Sequence, residues 1–144
     1  MSRAVLLALA LAAVAGCGTV PPAGRVAAPE VYPDRSEPEV AFHTFLWAWR
    51  EGDVETLGLV LGGYLRHELA TRLDADGAEA TAAWYRKDAE GLSLEEVEWE
   101  QRGQGTARVK VALVTAAQPR VEVRFTLFQR APDGWAVGQR HAVR

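Results

Sequence analysis

The sequence predicts an α+β fold: N-terminal helices packed on one face of a curved four-stranded antiparallel sheet. Two observations carry that expectation. Before Gly91 the apolar residues recur with the 3.6-residue period of helices, and after it they alternate with the period of 2 that marks half-buried strands. The strand segments are also separated by short turn signals, Gly103-Gln104-Gly105, Ala117-Gln118-Pro119 and Pro132-Asp133-Gly134, which force an antiparallel meander. Helices that come first, followed by such a meander, settle on one face of the sheet.

The chain opens with Arg3, an unbroken apolar run from Ala4 to Ala15, then Gly16 and Cys17, the single cysteine of the sequence. That order is the pattern of a secretory signal peptide. The run is too short for a membrane span, covering roughly 18 Å as helix where the hydrocarbon core needs about 30 Å. Val14-Ala15-Gly16-Cys17 resembles the lipobox of bacterial lipoproteins. The resemblance implies cleavage after residue 16, lipidation of Cys17 and export to the cell envelope. In didermal bacteria Gly18, standing where an aspartate would retain the protein, favours the outer membrane. Two or more acyl chains hold a protein stably where one does not, so the membrane is the first expected partner.

Residues 17–38 read as a tether. Pro21, Pro22, Pro29, Pro33 and Pro38 fall here, and proline excludes both helix interior and central strand. Extended, such a spacer reaches roughly 65 Å at about 3.1 Å per residue. Residues 39–144 form the expected folded domain.

From Val40 to Glu51, Phe42, Phe45, Leu46 and Trp49 form one helical stripe at i, i+3, i+4 and i+7. Gly52 suits the left-handed position that ends a helix, and Asp53 suits the N-cap of the next. Leu57, Leu61, Leu65, Leu69 and Leu73 continue the apolar side. Gly62-Gly63 breaks it, and a further helix over Gly77–Glu90 carries Trp84 and Tyr85.

In the strand region, Val97 and Trp99 alternate with Glu96, Glu98 and Glu100. Val109, Val111 and Leu113 alternate with Arg108 and Lys110, and Val121, Val123, Phe125 and Leu127 with Glu122 and Arg124. Leu92 and Leu94 are out of phase with Val97, which predicts a bulge or a late start in the first strand. Trp135 and Val137 open the fourth strand. Acidic and basic residues on adjacent outward faces predict cross-strand ion pairs and a solvated outer face. A face so charged disfavours sheet-to-sheet pairing, so a monomer or weak dimer is expected.

The aromatic helix, Gly52-Asp53 and leucine-bearing helix of Ala41–Tyr64, with the closing Asp133-Gly134-Trp135-Ala136-Val137, resemble the nuclear transport factor 2-like superfamily. The resemblance implies a cone-shaped domain with a pocket between helices and sheet. On that basis the candidate lining residues are Tyr64, Trp84 and Tyr85 on the helical wall, with Gln139 and His141 on the fourth strand. The last two share the parity of Trp135 and Val137 if the strand runs on unbroken. The other reading of His141 is a frayed strand end.

Isomerase- and cyclase-like members of the superfamily use an aspartate, alone or with a histidine, in the pocket. Here Asp53 reads as a cap, Asp74, Asp76 and Asp133 fall in loops or turns, and Asp88 falls on a helix. No acid is placed in the pocket by the sequence, so binding without catalysis is the leading expectation. An enzyme, or a structural subunit of an envelope complex, is the alternative.

The chain carries 16 Lys and Arg against 19 Asp and Glu, a net charge of −3, with no basic cluster to suggest nucleic acid. His43, His67 and His141 have no ligand spacing, so no metal is expected. There is no nucleophile elbow, and Gly62-Gly63 lacks the lysine of a phosphate loop, so no cofactor is expected. Trp47 lies off the apolar stripe of the first helix. It is either covered by neighbouring chain or a surface contact residue. The expected ligand is an unidentified small molecule or an envelope protein.

Overall fold

The computed structural model describes residues 34–130 and 133–143. The expected signal peptide, Cys17 and the tether as far as residue 33 lie outside them. Among the described residues no helix is long and apolar enough to cross a membrane.

Helix α1 spans Pro38–Glu51 and buries Phe42, Phe45, Leu46 and Trp49, the stripe set by their spacing. Its first residue is a proline, which has no N–H to leave unsatisfied there. Gly52, at φ 66°, ends it by donating its N–H to the carbonyls of Ala48 and Trp49. Asp53 then caps α2 (Val54–Val60), its carboxylate accepting the Thr56 N–H at 3.0 Å.

Helix α3 spans Gly63–Asp88 but is not one rod, because Gly77 sits at φ 80°, ψ 171°. The guanidinium carbon of Arg72 lies 3.6 Å from the ring centroid of Trp84. Twelve residues of continuous helix would hold them about 18 Å apart. The helix therefore folds back at Gly77, where the sequence predicted a new helix to start.

The sheet is open and antiparallel in the order β1-β2-β3-β4, with β1 Ser93–Gly103, β2 Thr106–Val114, β3 Val121–Arg130 and β4 Gly134–Ala142. The three helices lie against this curved sheet, giving the α+β architecture the sequence predicts. The phase break in β1 is a bulge between Leu94 and Glu96, and a second lies between Trp99 and Gln101. All three helices pack on β4. The ring of Phe42 reaches Phe125 of β3 at 5.3 Å and Trp99 of β1 at 6.1 Å. Aromatic pairs of this kind contribute about 0.5–1.5 kcal/mol beyond their buried area. The helical layer thins toward β1, so Val97 is 49% exposed although its partner Val111 is buried.

Two features tie down the margins. Leu61 bridges Val137 in parallel and Gly62 donates to the Val137 carbonyl, so the α2–α3 link covers the β4 edge. Asp34 and Arg35, which the sequence assigns to the tether, lie against the domain. The Asp34 carbonyl accepts from Thr44 Oγ1, Arg35 donates to the Leu59 carbonyl, and the Arg35 carbonyl accepts from Trp135 N–H.

The outer sheet face is laced by ion pairs. Glu98 faces Lys110 with Nζ and Oε2 2.6 Å apart. Glu95 and Glu100, the unmatched residues of the two β1 bulges, reach past β2 to Arg120 and Arg124 around β3. The Arg124–Glu100 pair is bidentate, at 2.6 and 2.8 Å.

Candidate functional site

The site is created by one extra residue in β4. Val137 pairs with Leu127 and Gln139 pairs with Thr126, leaving Gly138 unmatched between them. A bulge of one residue reverses which side chains face the core for the rest of the strand. Beyond it, Arg140 pairs with Phe125 and Ala142 with Val123, on the helix side. Gln139 pairs with Thr126 and His141 with Arg124, on the outer side.

The parity reading of Gln139 and His141 is thereby corrected. Both are exposed on the outer face, with His141 Nε2 3.4 Å from Gln139 Oε1. The bulge falls at a glycine for a steric reason: a Cβ at 138 would collide with the ring of Phe128.

The fold-back of α3 supplies the opposite wall. Leu65 and Glu68 from its first half lie beside Trp84, Tyr85 and Asp88 from its second. Trp84 and Tyr85 meet edge to face, with centroids 5.0 Å apart. Tyr85 is buried, and that burial, reinforced by the charge of Glu68, raises its hydroxyl above the ordinary phenolic range. Trp49 closes the end of the site, donating its indole N–H to Asp88 Oδ2 at 3.1 Å. The Arg140 guanidinium lies 5.9 Å from the Trp49 ring centroid, near the limit of cation–π attraction.

Trp49, Asp88 and Arg140 stand between two hollows and line both. Toward the core is a crevice of about 20 Å³, flanked by Phe45, Leu65 and Tyr85, with room for about one water. Toward solvent is an open cleft of about 260 Å³, walled by Leu113, Val121, Val123 and Ala142, with Thr115 and Gln118 at its rim. The larger of these two hollows lies between the ends of α1 and α3 and the helix side of the sheet. Asp88 and Arg140 make no ion pair with each other or with any other described residue.

Of the expected lining residues, Trp84 and Tyr85 reach the crevice. Tyr64 does not; it is 66% exposed and borders a separate shallow groove along α3 with His67 and Arg72. Trp47 is half-buried and packs against the core cluster. Among the described residues no three His, Asp or Glu side chains gather to hold a metal.

Sequence reading missed Asp88 and Arg140. For Arg140 the signal was Gly138, since an isolated glycine in a strand pattern points to a bulge. For Asp88 there was none, because its place depends on the fold-back of α3.

No protein-family model matches this chain, and no curated protein matches it in sequence.

Proposed function

We propose that this protein is a lipid-anchored binding module of the bacterial cell envelope, carrying a nuclear transport factor 2-like domain that takes up a small molecule without transforming it. The observation that carries the reading is the open cleft with Trp49, Asp88 and Arg140 at its floor. An apolar wall with a few convergent polar groups is the usual composition of a ligand site. The internally paired outer face supports a monomer or weak dimer.

Native mass spectrometry after gentle purification of a Cys17→Ala variant tests the binding reading. A reproducible added mass that is lost in Ala142→Trp, which fills the cleft from an exposed strand end, supports it. A clean unliganded mass for both proteins moves the role to protein partners. The same Cys17→Ala change tests the anchor, since it should shift the protein from the membrane to the soluble fraction. Retention in the membrane fraction would overturn lipid anchoring.

Asp88 gives the enzymatic alternative a specific footing, because it is a carboxylate placed in the cleft. An isomerase- or cyclase-type reaction would use it as base. Turnover abolished in Asp88→Asn with binding retained would favour that reading. A structural-subunit role draws less support, because Trp47 packs against the core.

A further inference from the structure

We infer that the cleft takes a small zwitterion with an apolar body: an ammonium group on Asp88, a carboxylate on Arg140, and hydrocarbon against Leu113, Val123 and Ala142. The inference rests on the binding reading above and names its ligand class.

The charges are the first argument. Asp88 and Arg140 line the same opening with opposite sign, yet no ion pair within 4.0 Å joins them. Asp88 is half-buried and Arg140 is exposed at the cleft, and a singly charged ligand could pair with only one of them. A zwitterion satisfies both.

Positioning is the second argument. Trp49 holds one oxygen of Asp88 through its indole N–H, which leaves Oδ1 as an acceptor, and its ring flanks the Arg140 guanidinium. The indole thus holds the carboxylate in place, with the Arg140 guanidinium 5.9 Å from the centre of the same ring. The guanidinium presents a planar fork of donors matched to a carboxylate.

Size is the third. At about 260 Å³ the cleft falls below the roughly 300–1,000 Å³ of sites for drug-sized ligands. Its walls are aliphatic where they meet the sheet. A free apolar amino acid and a short peptide share this chemistry.

Calorimetric titration of the full chain with leucine, N-acetyl-leucine, leucinamide and dileucine tests the inference. Leucine or dileucine should bind, and the tighter of the two identifies the source. Each blocked analogue should bind roughly tenfold or more weakly, the loss expected for one charge-assisted contact. Asp88→Asn should remove the preference over N-acetyl-leucine, and Arg140→Gln the preference over leucinamide; both changes keep a polar side chain of similar size. Blocked analogues that bind as well as leucine overturn the zwitterion. If none of the four binds while native mass spectrometry still shows an adduct lost in Ala142→Trp, the ligand class is wrong and the binding reading stands. If no adduct forms either, both fall.

Discussion

The indole nitrogen of Trp49 donates to Oδ2 of Asp88 across 3.1 Å, fastening the last turn of α1 to the last residue of α3. The bond spans two elements that share no local sequence, so it reports directly on tertiary assembly. Trp49→Phe keeps a ring in the core and removes the donor. It should lower stability by about 1.5–3 kcal/mol, the usual worth of a hydrogen bond to a charged group. Urea denaturation measures this, and a loss near zero would show that water replaces the indole N–H.

Gly138 and Phe128 should be coupled. Gly138→Ala places a methyl group into the Phe128 ring, which should cost about 1–3 kcal/mol as overpacking. Phe128→Leu removes the obstructing ring edge. The double variant should therefore be more stable than the sum of the two single losses predicts, by about 1 kcal/mol in a double-mutant cycle. Strict additivity would mean that the strand relaxes without meeting the ring.

Arg124 should set part of the acid limb of stability. Its bidentate bonds hold the Glu100 carboxyl below the ordinary glutamate value of 4.5. A carboxyl depressed by folding stabilises the native state above its unfolded pKa, and the effect is lost as pH falls through the lowered folded value. Glu100→Gln should thus lower the urea midpoint at pH 7, and the difference from wild type should close in the acid range. The pair is solvent-exposed, so added salt should shrink the gap as well.

Tyr85 governs the opposite limb. Burial raises its pKa above 10.0, so folding resists its ionisation. That resistance costs nothing below the unfolded value and destabilises the native state as pH rises above it. Tyr85→Phe should flatten the loss of stability above about pH 10, and tyrosinate absorbance should lose its latest-titrating component. An unchanged alkaline profile would place the Tyr85 hydroxyl in contact with bulk water.

Local chemistry made much of the architecture legible. Phe42, Phe45, Leu46 and Trp49 mark one face of α1 because 3.6-residue spacing leaves no other arrangement. Gly52 and Asp53 mark a helix boundary by backbone conformation and capping, both properties of single residues. The β1 bulge showed as a change of phase between Leu94 and Val97. The site was harder to read. Alternation carried through Gly138 puts Gln139 and His141 on the helix side of the sheet, while one unmatched residue puts Arg140 there instead, exposed at the cleft. Asp88 enters the cleft only because α3 doubles back at Gly77, and no pattern within the helix records how far a chain turns.

Asp34 and Arg35, the first described residues, meet the domain beside Trp135 at the first residues of β4, whereas the cleft opens around Arg140 and Ala142 at the last. Roughly 20 Å of strand separates the two, at about 3.3 Å per residue. A pulling force applied through the N-terminal chain would load the Arg35–Trp135 hydrogen bond and the Thr44 hydroxyl on the Asp34 carbonyl first. The Trp49–Asp88 bond at the far pole would bear little of it. The domain is mechanically polar: one end takes the strain, and the recognition end is sheltered from it.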